Sequence, residues 1–316
     1  MAANEKVQGG VSVLETQAIN PLWAFFRYRL GVKGLPAYGE LPQMALRGKF
    51  LHGVMERVWE LLRDQSGLKE AIDGATLLSQ LEKIVNAVAT KELSAYDTTL
   101  RELEIGRAIR VVNGWLLKEA DRAPFVVQEI EQKRQLNLNG LVLDVRLDRL
   151  DHLVSEDQGD GTTHLAVIDY KTGRTLPSVL KDWESPRPVN LQVPLYAAML
   201  NAEGGSESNA GNRISALMLV RLHARGSEAL GLAEHDELGL SGLKTLSKAK
   251  YADADWSCLL ARLSTVIDML AQEFVQGKAV NQSWKGADLA FCDILPLLRY
   301  FDQGEEDTQE GSDDDS

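Results

Sequence analysis

Apolar positions recur at two different periods along this chain. Between Pro42 and Asp64, Leu51, Val54 or Met55, Val58 and Leu62 fall three or four residues apart, the spacing of an amphipathic helix. Residues 70–93 and 98–121 repeat that spacing, the second carrying Arg101, Arg107 and Arg110. Ahead of them, Ser12–Gln17 reads as a short strand or cap. Pro21–Leu30 reads as an aromatic-rich helix, opened by Pro21 and closed by Gly31 and Gly34. The first part of the chain is therefore predicted to be mainly helical.

From Phe125 the period changes to two. Phe125–Gln135 places Glu129 and Glu131 on one parity, and Asn137–Gly140 supplies a turn. Leu141, Leu143, Val145 and Leu147 then make one face, with Asp144, Arg146 and Asp148 on the other. Asp148 belongs to the polar side unless a bulge re-aims it. After the polar loop Ser155–Gly161 comes His164–Lys171, in which Leu165, Val167, Asp169 and Lys171 share a parity. Three successive strands with tight connections predict an antiparallel meander. Pro194 then opens a helix that puts Gln192 and Tyr196 on one face, Ile214–Leu222 is a further buried strand, and Trp256–Gln272 is a long helix.

The 316 residues, 44% apolar and 25% charged, suffice to bury a full core. The predicted organisation is an unstructured 1–10, one domain over 11–302 (helical 20–121, sheet core 125–222, C-terminal helices 255–301) and an acidic tail, 303–316. Two cysteines are too few for a disulfide framework, the start lacks an apolar signal core, and no run reaches the ~18 apolar residues of a membrane span. A soluble cytoplasmic protein is expected. The net charge of −12 argues against a nucleic-acid partner, but seven acidic residues between Glu305 and Ser316 supply most of it. That tail reads as a solubilising end or as a DNA-mimicking regulator.

Two carboxylates on neighbouring strands, Asp148 and Asp169, with Glu131 close by and few His or Cys, suit a hard, oxygen-preferring ion such as Mg²⁺ or Mn²⁺. Lys171 beside them could orient a water or stabilise charge on a phosphorane. Taken alone, Asp169 and Lys171 read equally as an ion pair at a strand end, His52 as a packed core histidine, and Arg27 and Arg29 as solvated ends of a core helix instead of a DNA-stacking platform.

The ordered set Gly48-x-x-x-His52, Glu131, Leu-Asp148-Arg-Leu-Asp151, Asp169-Tyr-Lys171-Thr-Gly173 and Gln192-x-x-x-Tyr196 resembles the motifs of the RecB-like branch of the PD-(D/E)XK nucleases. Trp183, Arg187-Pro188 and Gln192-x-Pro194-Leu-Tyr196 further resemble the nuclease domain of AddB-type bacterial DNA-repair proteins. The resemblance implies an α/β fold: a restriction-endonuclease-like mixed central sheet flanked by helices, with a helical N-terminal part. It implies a Mg²⁺- or Mn²⁺-dependent deoxyribonuclease, an exonuclease in repair or recombination, acting on single-stranded or end-bearing DNA beside a helicase partner. Asp148, Asp169, the carbonyl of Tyr170 and His52 would be metal contacts, Lys171 the catalytic lysine and Glu131 a helper carboxylate. Gln192, Tyr196 and Arg187 would position DNA and support the site. A non-catalytic DNA-end-binding or scaffold subunit is the alternative. Many relatives hold an iron-sulfur cluster with four cysteines, where this chain has Asn20, Leu289, Cys292 and Leu298. One thiolate cannot hold it, so no iron-sulfur cluster is expected, and an apolar contact between the chain ends is expected instead.

Overall fold

The computed structural model describes residues 5–34, 43–154, 162–173, 178–204, 211–240, 242–283, 289 and 292–299. The polar loop Ser155–Gly161 and the tail 303–316 lie outside them. In chain order the elements are β1 (Glu5–Val7), α1 (Ser12–Ile19), α2 (Pro21–Ala24) running into a π-helical turn (Phe25–Arg29), and the helices α3 (Gln43–Leu62), α4 (Gln65–Asp73), α5 (Leu77–Glu92) and α6 (Thr98–Ala120). Then come β2 (Phe125–Leu138), β3 (Leu141–Leu153), β4 (Thr163–Lys171), α7 (Val179–Asp182), α8 (Gln192–Gly204), β5 (Asn212–Arg221), β6 (Glu228–Ala233), β7 (Leu243–Lys244), α9 (Leu246–Ala249) and α10 (Trp256–Gln276).

The strands form one mixed sheet in the order β1-β3-β4-β5-β6-β7, with β2 paired along the other side of β3. The predicted meander is present: β2, β3 and β4 pair antiparallel, and Asn139 and Gly140, both at positive φ, make the first turn. β5 lies parallel to β4 across the crossover that contains α8. Four local expectations differ, the first being Ser12–Gln17, which reads as a short strand or cap and lies in helix α1. Residues 5–7, expected without structure, pair parallel with Leu141–Leu143. The predicted helix over 70–93 is two helices, because Ala75 at φ +53° stops α4 after its Gly74 cap. Arg27 and Arg29 are tied down: Arg27 pairs with Asp293 at 2.7 Å, and Arg29 donates to the carbonyls of Phe274 and Val275 at the end of α10.

One face of the sheet packs on α1, α8 and α10, with Leu141, Leu143, Val145 and Leu147 pointing into that layer. The opposite face packs on α3–α6 through Ala166, Ile168, Tyr170, Ala216 and Met218. A third cluster of Trp23, Cys292, Ile294 and Leu298, with Leu289 against it, joins the two ends of the chain at the positions expected to make an apolar contact.

The alternation in β3 slips by one where it matters. Leu147 faces the α8 layer, but so does Leu150, while Leu153 faces the α3 layer. Opposite this slip, Glu131 of β2 adopts φ +50°, a region non-glycine residues rarely occupy, and an extra residue enters β2 between Val127 and Glu129. The bulge that could re-aim Asp148 is therefore there. The side of β3 away from β2 is also divided. β1 covers Leu141–Leu143 and β4 covers Arg149–Leu153, leaving residues 144–148 without a strand partner on that side among the described residues. Asp148 stands at this fork.

Candidate active site

Side chains from α3, β2, β3, β4 and α8 converge on the fork. Gly48 lets α3 approach the exit of β4, since a Cβ there would sit 3.2 Å from Thr172 Oγ1. One turn later His52 faces the sheet, its Nδ1 3.4 Å from Asp148 Oδ2 and 3.6 Å from Glu131 Oε1. His52 is thus a member of the polar cluster and not a packed core histidine. Ligand atoms of His52, Glu131 and Asp148 all lie within 4.8 Å of one another.

Asp169 and Lys171 leave β4 on the α8 side, as the strand period requires, with Lys171 Nζ 2.8 Å from Asp169 Oδ2 and 2.9 Å from Gln192 Oε1. Between them, the Tyr170 N–H donates to Asp148 Oδ2 at 2.8 Å. Asp169 therefore belongs with Lys171, while Glu131, expected only as a helper, falls within the three-residue ligand group.

Charge in this cluster is poorly compensated. Burial, then the Asp148 carboxylate, pushes Asp169 up to about 7, against the pull of Lys171. Burial would raise Asp148 as well, but His52 and the Tyr170 N–H outweigh it and hold it below the usual range. His52 shows the reverse balance: burial lowers it, yet Asp148 and Glu131 raise it to about 10. Lys171 is likewise opposed by burial and held up by Asp169, so it stays protonated. The cluster thus recruits a proton onto His52 to offset its carboxylates. A divalent ion would do the same with no added proton, and the nitrogen-plus-carboxylate donor set fits one.

Arg187, Tyr196 and Gln192, expected to position DNA and support the site, all have partners or neighbours within the fold. Arg187 is buried, forming an ion pair with Glu273 at 2.8 Å and donating to the Gln17 carbonyl at 2.8 Å, so it clamps α1 to α10 and has no exposed face for a DNA strand. Tyr196 is buried under the site, and Gln192 holds Lys171, so both support the site from within. Arg146, which reads in the sequence only as part of the polar face of β3, stands at the site. Two residues before Asp148 on the polar side of β3, it bridges Glu131 with its side chain about half exposed. Its parity with Asp148 was the available signal.

A forked mixed sheet with acidic ligands at the fork and a lysine at the strand exit defines a restriction-endonuclease-like protein with a candidate divalent-metal centre. A sequence model of the PD-(D/E)XK nuclease superfamily matches residues 10–293. The chain belongs to that superfamily. Comparison with curated protein sequences gave no significant match.

Proposed function

We propose that this protein is a Mg²⁺- or Mn²⁺-dependent deoxyribonuclease of the RecB-like branch, most similar in its motifs to the AddB-type nuclease domain. In this reading it acts as an exonuclease on single-stranded or end-bearing DNA in cytoplasmic repair or recombination, alongside a helicase. Residues 11–302 are taken as one nuclease domain, since both apolar layers share a single sheet. Among the described residues no helix is long and apolar enough to cross a membrane. The observation that carries the proposal is the convergence of His52, Glu131 and Asp148 within 4.8 Å beside the Asp169–Lys171 pair.

Asp148 and Asp169 would hold the cation, with His52, Glu131 and the Tyr170 carbonyl completing its shell. A cation held there would supply Lewis acidity toward the phosphodiester and toward a water. Lys171, held protonated, is unsuited to act as a base and serves instead to orient the water and stabilise charge on the phosphorane. Gln192 fixes its ammonium from α8. End-labelled single- and double-stranded DNA should be degraded with Mg²⁺ or Mn²⁺, and Lys171→Ala should abolish this. Equal digestion by the variant would assign the activity to a contaminant. Cation binding without cleavage would favour the non-catalytic end-binding subunit.

A further inference from the structure

Tyr170 occupies a position that the metal-site reading leaves unexplained. It lies between Asp169 and Lys171, but its side chain goes to the opposite face, into the α3 layer, where it is buried. There its hydroxyl accepts from Trp59 Nε1 at 3.1 Å and from Arg149 Nη1 at 3.0 Å. Neither donor is free to move. Arg149 is fully buried, held by both oxygens of Asp151 at 2.6 and 2.7 Å and by Glu119 at 2.9 Å. Its guanidinium stacks 3.9 Å from the ring centre of Trp59 and 4.8 Å from that of Phe125.

This hydroxyl therefore joins three elements that each carry a site residue. Trp59 lies two turns beyond His52 on α3, and the His52 imidazole meets the Tyr170 ring edge to face at 6.3 Å. Arg149 follows Asp148 on β3. Tyr170 itself is flanked by Asp169 and Lys171 on β4. The ladder between β3 and β4 ends at Arg149–Ile168, so the exit of β4 has no strand pairing to β3, and the Tyr170 N–H is taken by the Asp148 carboxylate. The β4 exit is held on its other edge by β5, which pairs Asp169–Lys171 with Leu219–Arg221, and rotation about that one edge would swing Asp169 and Lys171 away from the fork. A side chain anchored on the opposite face resists that rotation.

We propose that the Tyr170 hydroxyl, pinned by Trp59 and Arg149, is a positioning group that ties α3, β3 and β4 together and so fixes where His52, Asp148 and Asp169 stand for binding a divalent cation. This rests on the metal-centre reading above. The test is calorimetric titration with Mn²⁺, with thermal melts and single-turnover cleavage, for wild type, Asp148→Ala, Tyr170→Phe, Trp59→Phe and the Tyr170→Phe/Trp59→Phe double variant. Tyr170→Phe should weaken Mn²⁺ binding about 10- to 100-fold, the range for a lost outer-shell partner, and lower kcat with DNA KM unchanged. Trp59→Phe keeps an aromatic ring under Arg149 and should lose less. The double variant should match Tyr170→Phe alone, because both changes delete the same hydrogen bond.

Wild-type Mn²⁺ affinity and kcat in folded Tyr170→Phe, whatever its melting temperature, would reduce the hydroxyl to a structural contact and overturn the proposal. If Tyr170→Phe fails to fold, unchanged Mn²⁺ affinity in Trp59→Phe would do the same. Absence of Mn²⁺ binding in wild type, or equal binding by Asp148→Ala, would instead remove the metal centre itself and the positioning role with it.

Discussion

Two polar clusters lie within a few residues of each other on β3, and they treat charge in opposite ways. Around Arg149, two arginines and two carboxylates are fully buried and matched: Arg149 meets Asp151 and Glu119, and Arg122 meets both at 2.8 and 2.9 Å. The Trp115 N–H also donates to Glu119, and Gln65 donates to the backbone carbonyls of Ala120 and Arg122 alongside. Around Asp148 the carboxylates face a histidine and a lysine whose side chains are about one-quarter and one-third exposed. Balance there depends on protonating His52. The first cluster pairs its carboxylates with arginines inside the folded chain; the second leaves an excess of carboxylate that a bound cation would offset. A closed network of this kind fixes geometry, whereas an unbalanced cluster stores affinity for a cation.

The sharpest way to break the comparison is to remove one member of the closed network. Glu119→Ala leaves Arg149 and Arg122 short of a partner in the core and should cost about 3–5 kcal/mol in a denaturant unfolding experiment. A loss below about 1 kcal/mol would mean that water satisfies these charges. Removing a site carboxylate should do the opposite. Asp169→Ala should depress DNA cleavage at least about 100-fold, while the melting temperature of the metal-free protein holds or rises, because a costly buried carboxyl is gone.

The two clusters should also separate by pH. Asp169 and His52 both have folded-state pKa values raised above their ordinary ones, to about 7 and about 10. Each favours the folded state while protonated, so its contribution is full below its ordinary pKa and lost as pH rises through the folded value. Metal-free protein should therefore lose stability steadily from about pH 4 to 10. Asp169→Asn should flatten the limb up to about pH 7 and leave the higher one. Mn²⁺ affinity should climb over the same range with proton release, seen as a dependence of the calorimetric heat on buffer. Affinity falling with pH would contradict the ligand assignment. The smallest effect is expected for Glu131→Gln, since Glu131 is shared with half-exposed Arg146. It should weaken Mn²⁺ binding by about 1 kcal/mol, a factor near 5, and barely move stability.

The chain itself dictates whatever depends on neighbours in sequence. Period-two alternation put Asp169 and Lys171 on one side of β4, and Asn139-Gly140 set the hairpin, because strand geometry and turn φ values are local properties. The spaced motifs named candidate site residues for the same reason: each sits at a fixed place on its own helix or strand. Other features depend on partners far along the chain. Glu131 entered the candidate ligand group where its own positive φ sets it opposite the fork of β3. Arg187, which reads as a DNA contact, is claimed by Glu273 on α10, 86 residues on. Arg149 and Asp151 show at most two charges of one parity in an apolar strand, and nothing local says that Glu119 and Trp59 will close around them. A charged side chain takes its role from whichever opposite charge or ring the folded core brings within reach, and that choice is made between elements, not along them.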